Sequence, residues 1–348
     1  MNKIPAYAAA RSGARLEPTT ITRRTPAGAD VRIEIRYAGV CHTDIVQTHD
    51  GWGPGLYPMV PGHEITGVVV ETGPGVTRFA VGDRVGVGTY VDSCRECEAC
   101  TAGLEVYCLN GVVPTYNSRG RDGSPNQGGF SREIVVDERY VVRIPDSLPL
   151  DAAAPLLCAG ATTFSPLKHW NAGPGKKVAV LGMGGLGHLA VQYAHALGAE
   201  VTVLSRTLSK QDDGLRFGAD HYFATEDPKT FEDLAGAFDL IVCTISDPIR
   251  LDPYLRLLRI DGALVNVGAP EDDLTFDNWA LIPARRSYAS SAAAGMPETQ
   301  QMLDFSAEHG IAAQIETVAM RDINEVFERL EKAQVRYRFV VDLATLTA

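Results

Sequence analysis

Lys177-Val-Ala-Val-Leu-Gly-Met-Gly-Gly-Leu-Gly187 is the stretch that decides the fold. Val178 to Leu181 is a short apolar run, as expected for a strand buried in a parallel sheet. Gly182, Gly184 and Gly187 then follow the G-x-G-x-x-G spacing, with Gly185 and Leu186 filling the last gap. A helical pattern runs from Leu186 to Leu197. The spacing alone is a weak signal. Between a strand and a helix it becomes a dinucleotide-binding fingerprint. The glycines allow a tight turn and a close approach to a pyrophosphate, and the helix N-terminus presents N–H groups to it.

The next strand, Glu200-Val-Thr-Val-Leu, selects between cofactors. An NAD site places Asp or Glu at its end to bond the ribose 2′-hydroxyl. This chain has Ser205-Arg206-Thr207 there, with Lys210 close behind. Two cations suit a 2′-phosphate, so NADP(H) is expected, with Ser205, Arg206 and Lys210 as its readers. Leu240-Ile-Val-Cys and Ala263-Leu-Val-Asn-Val-Gly continue the alternation of strands and helices, which predicts a doubly wound α/β sheet over residues 151–287. From about residue 288 the pattern is helical, and Arg338-Phe-Val-Val-Asp closes the chain as a strand.

Residues 1–150 read differently. Val31-Arg-Ile-Glu-Ile-Arg-Tyr alternates apolar and charged residues as a half-buried strand does. Ile65–Val70, Val85–Val87, Ile134–Val136 and Tyr140–Ile144 are further strand candidates, with Gly73-Pro-Gly and Gly82-Asp as turns. Within this region Cys94, Cys97, Cys100 and Cys108 are spaced C-x2-C-x2-C-x7-C. Four thiolates that close fit one tetrahedral Zn²⁺ and leave it no open position, so a lobe over 92–110 is expected to hold a structural metal.

The chain has 348 residues, 45% hydrophobic and 22% charged, which suits about two globular domains. A net charge of −11 argues against nucleic acid and anionic membranes as partners. Val178–Ala199 lacks Asp, Glu, Lys and Arg, but its five glycines, two histidines and one Gln fit strand–turn–helix better than a membrane span. No signal-peptide pattern opens the chain, and seven cysteines is an odd count for a secreted disulfide framework. A reduced cytoplasmic setting is expected.

Three more residues suit an open zinc site: Cys41 in Gly39-Val-Cys-His-Thr-Asp, His63 in Gly62-His-Glu-Ile-Thr-Gly, and Cys158 in Leu-Leu-Cys-Ala-Gly-Ala-Thr. Two Cys and one His leave a fourth position for water or substrate. Their separation in sequence means that spacing cannot establish the site. Taken together with Val60-Pro-Gly-His-Glu, the four-Cys lobe, Leu157-Cys-Ala-Gly-Ala-Thr-Thr, the Gly-rich turn and Tyr337-Arg-Phe-Val, these motifs give the chain its resemblance. It resembles the zinc-dependent medium-chain alcohol dehydrogenases, most closely their cinnamyl alcohol dehydrogenase-like branch.

That resemblance implies a GroES-like β-rich catalytic domain over 1–150, a Rossmann domain over 151–287, and a segment 288–348 returning to the catalytic domain. It implies two Zn²⁺ per chain, NADP(H) and a homodimer. Cys41, His63 and Cys158 would hold the catalytic zinc, with Glu64 as a transient ligand. Asp44 would fix the tautomer of His63, Thr43 would contact the reacting oxygen, and Thr162 would pack on the nicotinamide. One position departs from the family: Val46 stands where a proton-relay His is usual, and His49 lies three residues further on. Trp52, Tyr90, Tyr116 and Met296 are the candidate pocket residues.

Three functions follow. The first is reduction of aromatic, allylic or medium-chain aldehydes, reversible to primary alcohol oxidation. The second, prompted by Val46, is reduction of an iminium ion or conjugated C=C bond in a biosynthetic pathway. The third is a non-catalytic zinc- and nucleotide-binding protein.

Overall fold

The alternation at Val31–Arg36 builds a strand over Asp30–Val40, in which Val31, Ile33 and Ile35 are fully buried while Arg32 and Glu34 are partly exposed. This strand organises a seven-stranded sheet. Ile65–Thr72 pairs antiparallel along one edge. Glu133–Asp137 and Arg338–Asp342 share the other edge, opposite Asp30–Glu34 and Tyr37–Val40. The computed structural model describes residues 2–270 and 273–346. They group into two compact units, Met1–Ala161 with Ala294–Ala348, and Thr162–Ala293.

In the first unit the inward residues of the sheet strands join Phe130, Tyr140, Met320 and Phe339 in one core. Residues 151–161 belong to this unit, and Leu156 and Leu157 are buried just before Cys158.

The second unit is a sheet of six strands, all parallel. Its spatial order is His221–Ala224, Glu200–Ser205, Lys177–Leu181, Phe238–Cys243, Leu258–Asn266, Ser287–Ser290. Numbered within the sheet this is 3-2-1-4-5-6, the order of dinucleotide-binding folds, whose switch point lies between strands 1 and 4.

Two local readings change. Ser287–Ser290 is an edge strand rather than the start of a helix. Its Ser-Tyr-Ala-Ser sequence lacks the apolar run of a central strand because, among the described residues, one edge has no neighbour. Tyr140 lies in a 3-10 turn over Glu138–Tyr140, which the Asp137 side chain caps by accepting the Arg139 N–H at 3.0 Å. No described helix is long and apolar enough to cross a membrane.

Candidate functional site

The strand Asp30–Val40 ends at Cys41, which is the N-cap of a helix over His42–Thr48. Asp44, at the third helical position, closes the turn by accepting the Cys41 N–H at 2.9 Å through Oδ2. Its other oxygen, Oδ1, accepts from Gly62 N at 3.0 Å and faces His63 Nδ1 at 3.2 Å. One fully buried carboxylate therefore starts the helix, fixes the Gly62 turn and sets which His63 nitrogen bears the proton.

His63 Nε2 is buried and has no protein partner. It lies with Cys41 Sγ, Cys158 Sγ and a Glu64 carboxylate oxygen in a group whose ligand atoms are all within 4.8 Å of one another. An orphaned imidazole nitrogen beside two thiols is the donor set of an open zinc site, so these residues fit that metal. Burial opposes a charge on His63, but Asp44 and Cys41 outweigh it and hold its pKa well above the ordinary value. The hydrogen bond between the thiols draws Cys41 well below its usual value and, together with burial, drives Cys158 well above. Metal ligation needs both sulfurs as thiolates, so binding would release whatever thiol protons the pair carries.

Glu64 is fully buried, and burial lifts its carboxyl pKa to about 7 against the opposing pull of Arg338. Arg338 Nη2 donates to Glu64 Oε1, whereas Oε2 is buried without a partner. The pairing Gly39↔Val340 carries Arg338 to this place. Gly39 is needed there, because a Cβ on it would lie 2.0 Å from Glu64 Oε2. Sequence reading placed Arg338 on a strand and gave it no role at the site.

Tyr116 is buried beside the set, stacked on His63 with ring centroids 5.9 Å apart and its hydroxyl 3.4 Å from Thr43 O. Thr43 is half-buried in the first turn of the Cys41-capped helix. Val46 is buried in the same helix, and His49 Nδ1 lies 2.9 Å from Ile45 O. Trp52 is 45% exposed. Tyr90 and Met296 have contacts elsewhere: the Tyr90 hydroxyl donates to Ala294 O at 3.1 Å, and Met296 N donates to Glu105 Oε2 at 2.9 Å. Both belong to the surroundings of the four-Cys lobe.

In that lobe the four sulfurs also lie within 4.8 Å of one another. Backbone N–H groups point at them: Cys97 N to Cys94 Sγ at 3.3 Å, Cys94 N to Cys108 Sγ at 3.3 Å, Leu109 N to Cys97 Sγ at 3.4 Å. Such donors favour thiolate, and N–H groups of Glu96 and Cys97 bring Cys94 down to about 6. Burial pushes Cys100 up to about 11. All seven cysteines are free thiols, so this cluster is no disulfide knot. It fits a closed tetrahedral zinc.

In the second unit Gly182 turns at φ +98°, and a Cβ on Gly187 would strike Gly182 O at 2.0 Å, so the helix over Gly187–Ala196 can close on its strand only with glycine there. A Cβ on Gly184 would meet nothing within 4 Å. That open face leaves room for a phosphate group to approach the backbone. Lys210 Nζ donates to Met183 O at 2.9 Å, which places its cation against the same turn. Arg206 is 85% exposed, with Glu226 3.9 Å from its Nε. Ser205 ends its strand, and Thr162 is half-buried on the helix Ala159–His169.

A dinucleotide-type sheet and a Cys2His set built around a buried His63 in one chain define a metal-assisted oxidoreductase. Residues 27–146 match the alcohol dehydrogenase GroES-like domain and residues 185–308 the zinc-binding dehydrogenase family. The chain is 58% identical over 347 residues to the NADP-dependent alcohol dehydrogenase C 1 of Mycolicibacterium smegmatis, covering 99% of both. It is 58% identical to a probable formaldehyde dehydrogenase of Bacillus subtilis, covering 96% of this chain and 95% of that one. A cinnamyl alcohol dehydrogenase of Sorghum bicolor superposes with a TM-score of 0.96 at 43% identity, over 99% of each chain. The protein belongs to the zinc-binding alcohol dehydrogenases, medium-chain oxidoreductases with a GroES-like domain and a Rossmann domain.

Proposed function

We propose that the protein interconverts aldehydes and primary alcohols with zinc and NADP(H), on aromatic, allylic or medium-chain substrates. The observation that carries this reading is the buried His63 Nε2, without a protein partner, among Cys41, Cys158 and Glu64. Cys41, His63 and Cys158 would hold a zinc ion, which would supply Lewis-acid polarisation of a carbonyl oxygen, and NADPH bound in the second unit would supply the hydride. Asp44 orients His63 and keeps its proton on Nδ1. Thr43, two residues beyond Cys41, is the proposed proton donor to the reduced oxygen. Gly182–Gly187 offers the turn and helix N-terminus for the pyrophosphate. Arg206 and Lys210 supply positive charge for the 2′-phosphate, with Ser205 beside them. Thr162 is proposed to pack on the nicotinamide, and Tyr116 to line the substrate pocket.

Val46 supports the second reading, reduction of an iminium ion or conjugated alkene, because a buried valine transfers no proton and His49 is engaged with Ile45 O. A homodimer is the proposed assembly. Its support is the edge of Ser287–Ser290, unpaired among the described residues, together with exposed Trp279, Ile282 and Ile260 in the same unit. Seven free thiols suit a cytoplasmic setting.

The test is NADPH consumption, with NADH in parallel, against cinnamaldehyde, benzaldehydes, aliphatic aldehydes and cyclic imines. Aldehyde turnover favouring NADPH is expected. Turnover confined to imines or conjugated alkenes would replace the first reading with the second. In Arg206→Asp the NADPH preference should fall; an unchanged ratio would take Arg206 out of cofactor selection.

A further inference from the structure

The chain rejoins the first unit at Ala294, and the four residues Ala294–Pro297 are held tightly. The buried Tyr90 hydroxyl donates to Ala294 O at 3.1 Å. Gly295 packs so closely that a Cβ on it would lie 1.8 Å from Gly103 O. Pro297 Cγ would be 3.0 Å from a Cβ on Gly103. Met296 N, the first helical N–H of Met296–His309, donates to Glu105 Oε2 at 2.9 Å.

That last bond matters because this helix has no cap of its own. Its N-cap is Gly295, which has no side chain to accept the orphan N–H groups. A carboxylate supplied from 191 residues earlier does so instead and also complements the positive end of a helix of 14 residues. Gly103 and Glu105 lie between Cys100 and Cys108. Gly103 N bonds Cys100 O at 3.2 Å, and Cys108 N bonds Glu105 O at 3.0 Å. Both ends of this short loop are therefore candidate ligands of one ion. Tying them to one point removes much of the loop's freedom and fixes where Glu105 can reach.

We propose that the four-Cys lobe is a metal-set clamp on the point where the chain re-enters the first unit, with Glu105 as its positioning residue. The closed metal then has a task apart from the reaction: it orders Ala294–Pro297, four residues beyond the end of the Ser287–Ser290 strand. The proposal rests on the lobe holding zinc, which the zinc content of the purified protein checks separately.

The experiment is hydrogen–deuterium exchange over residues 295–300, with zinc per chain measured on the same samples. Glu105→Ala retains all four cysteines and should retain its zinc, yet exchange at the first helical turn should rise about tenfold, as loss of a charge-assisted cap implies. Glu105→Gln keeps a carbonyl acceptor and should recover part of the protection. Cys97→Ser should lose the lobe zinc and show the same local rise. Adding Glu105→Ala to it should raise exchange no further, since both changes release one clamp. Wild-type protection in Glu105→Ala would overturn the proposal, and this arm stands whether or not Cys97→Ser folds. Additive effects in the double variant would also overturn it. Loss of lobe zinc in Glu105→Ala would overturn it by making Glu105 a support of the metal site.

Discussion

The two metal-ligand sets differ in how they are assembled. Cys94, Cys97, Cys100 and Cys108 come from one loop, and their immediate support is local: N–H groups of Cys94, Cys97 and Leu109 point at sulfurs of the same segment. Cys41, His63, Glu64 and Cys158 come from separate parts of the first unit. Their support is long-range, with Asp44 reaching Gly62 and His63 from one direction and Arg338 reaching Glu64 from another. The lobe satisfies its own donors and offers no open position. The second set leaves His63 Nε2 and Glu64 Oε2 unsatisfied inside the protein. A cluster that completes itself stabilises structure, and one held incomplete by distant elements is ready for a substrate.

If that contrast is right, the same substitution should act differently in each place. Cys158→Ser should abolish metal at the open set and lower kcat/KM by roughly 10³-fold or more, since several kcal/mol of charge stabilisation depends on that metal. Its unfolding midpoint should change much less. Steady-state kinetics and zinc content read both; retained turnover would remove Cys158 from the site. Cys97→Ser should do the reverse, costing about 3 kcal/mol or more and roughly 5–10 °C in Tm as the lobe loses its ion. Unchanged Tm and zinc content would undo the four-Cys assignment.

The same contrast accounts for what the sequence could reveal. Four cysteines within fifteen residues advertise their geometry through spacing, and so do the glycines of the Lys177–Gly187 turn. The open set has no spacing rule, and only the resemblance of several motifs linked Cys41, His63 and Cys158. Arg338 illustrates the limit. An arginine opening Arg338-Phe-Val-Val-Asp reads as a polar strand position, and nothing local shows that the strand pairs with Tyr37–Val40 beside Glu64. Tyr90 and Met296 show a related limit: an aromatic and a thioether suggest a pocket, but no sequence rule shows that the Tyr90 hydroxyl bonds Ala294 O or that the Met296 N–H bonds Glu105. The Ser287–Ser290 edge strand was hidden because pairing on one side demands little apolar sequence.

Residues that support the ligands extend the comparison with smaller effects. Asp44→Asn keeps an oxygen for the Cys41 N–H but removes the carboxylate facing His63 Nδ1. Zinc affinity at the open set should fall about 10–100-fold, with activity restored by added zinc. Equal affinity would mean that backbone position alone orients His63.

The smallest expected effect is at the equivalent place in the lobe. Ser93 is fully buried, and its Oγ sits between Cys100 Sγ at 3.1 Å and the Tyr140 hydroxyl at 2.9 Å. It is the one side-chain bridge from this cluster to the core of the first unit, apart from the lobe's own backbone donors, among the described contacts of the four sulfurs. Ser93→Ala should cost about 1 kcal/mol, a few degrees in Tm, because the sulfur retains its neighbours while the Tyr140 hydroxyl loses one. Release of lobe zinc to a chelator should quicken by roughly fivefold, the same energy expressed as a rate. kcat should stay at the wild-type value, because the open set does not touch this bridge. A loss of activity as large as that of Asp44→Asn, with lobe zinc intact, would show that the two sites are not separable and would end the comparison.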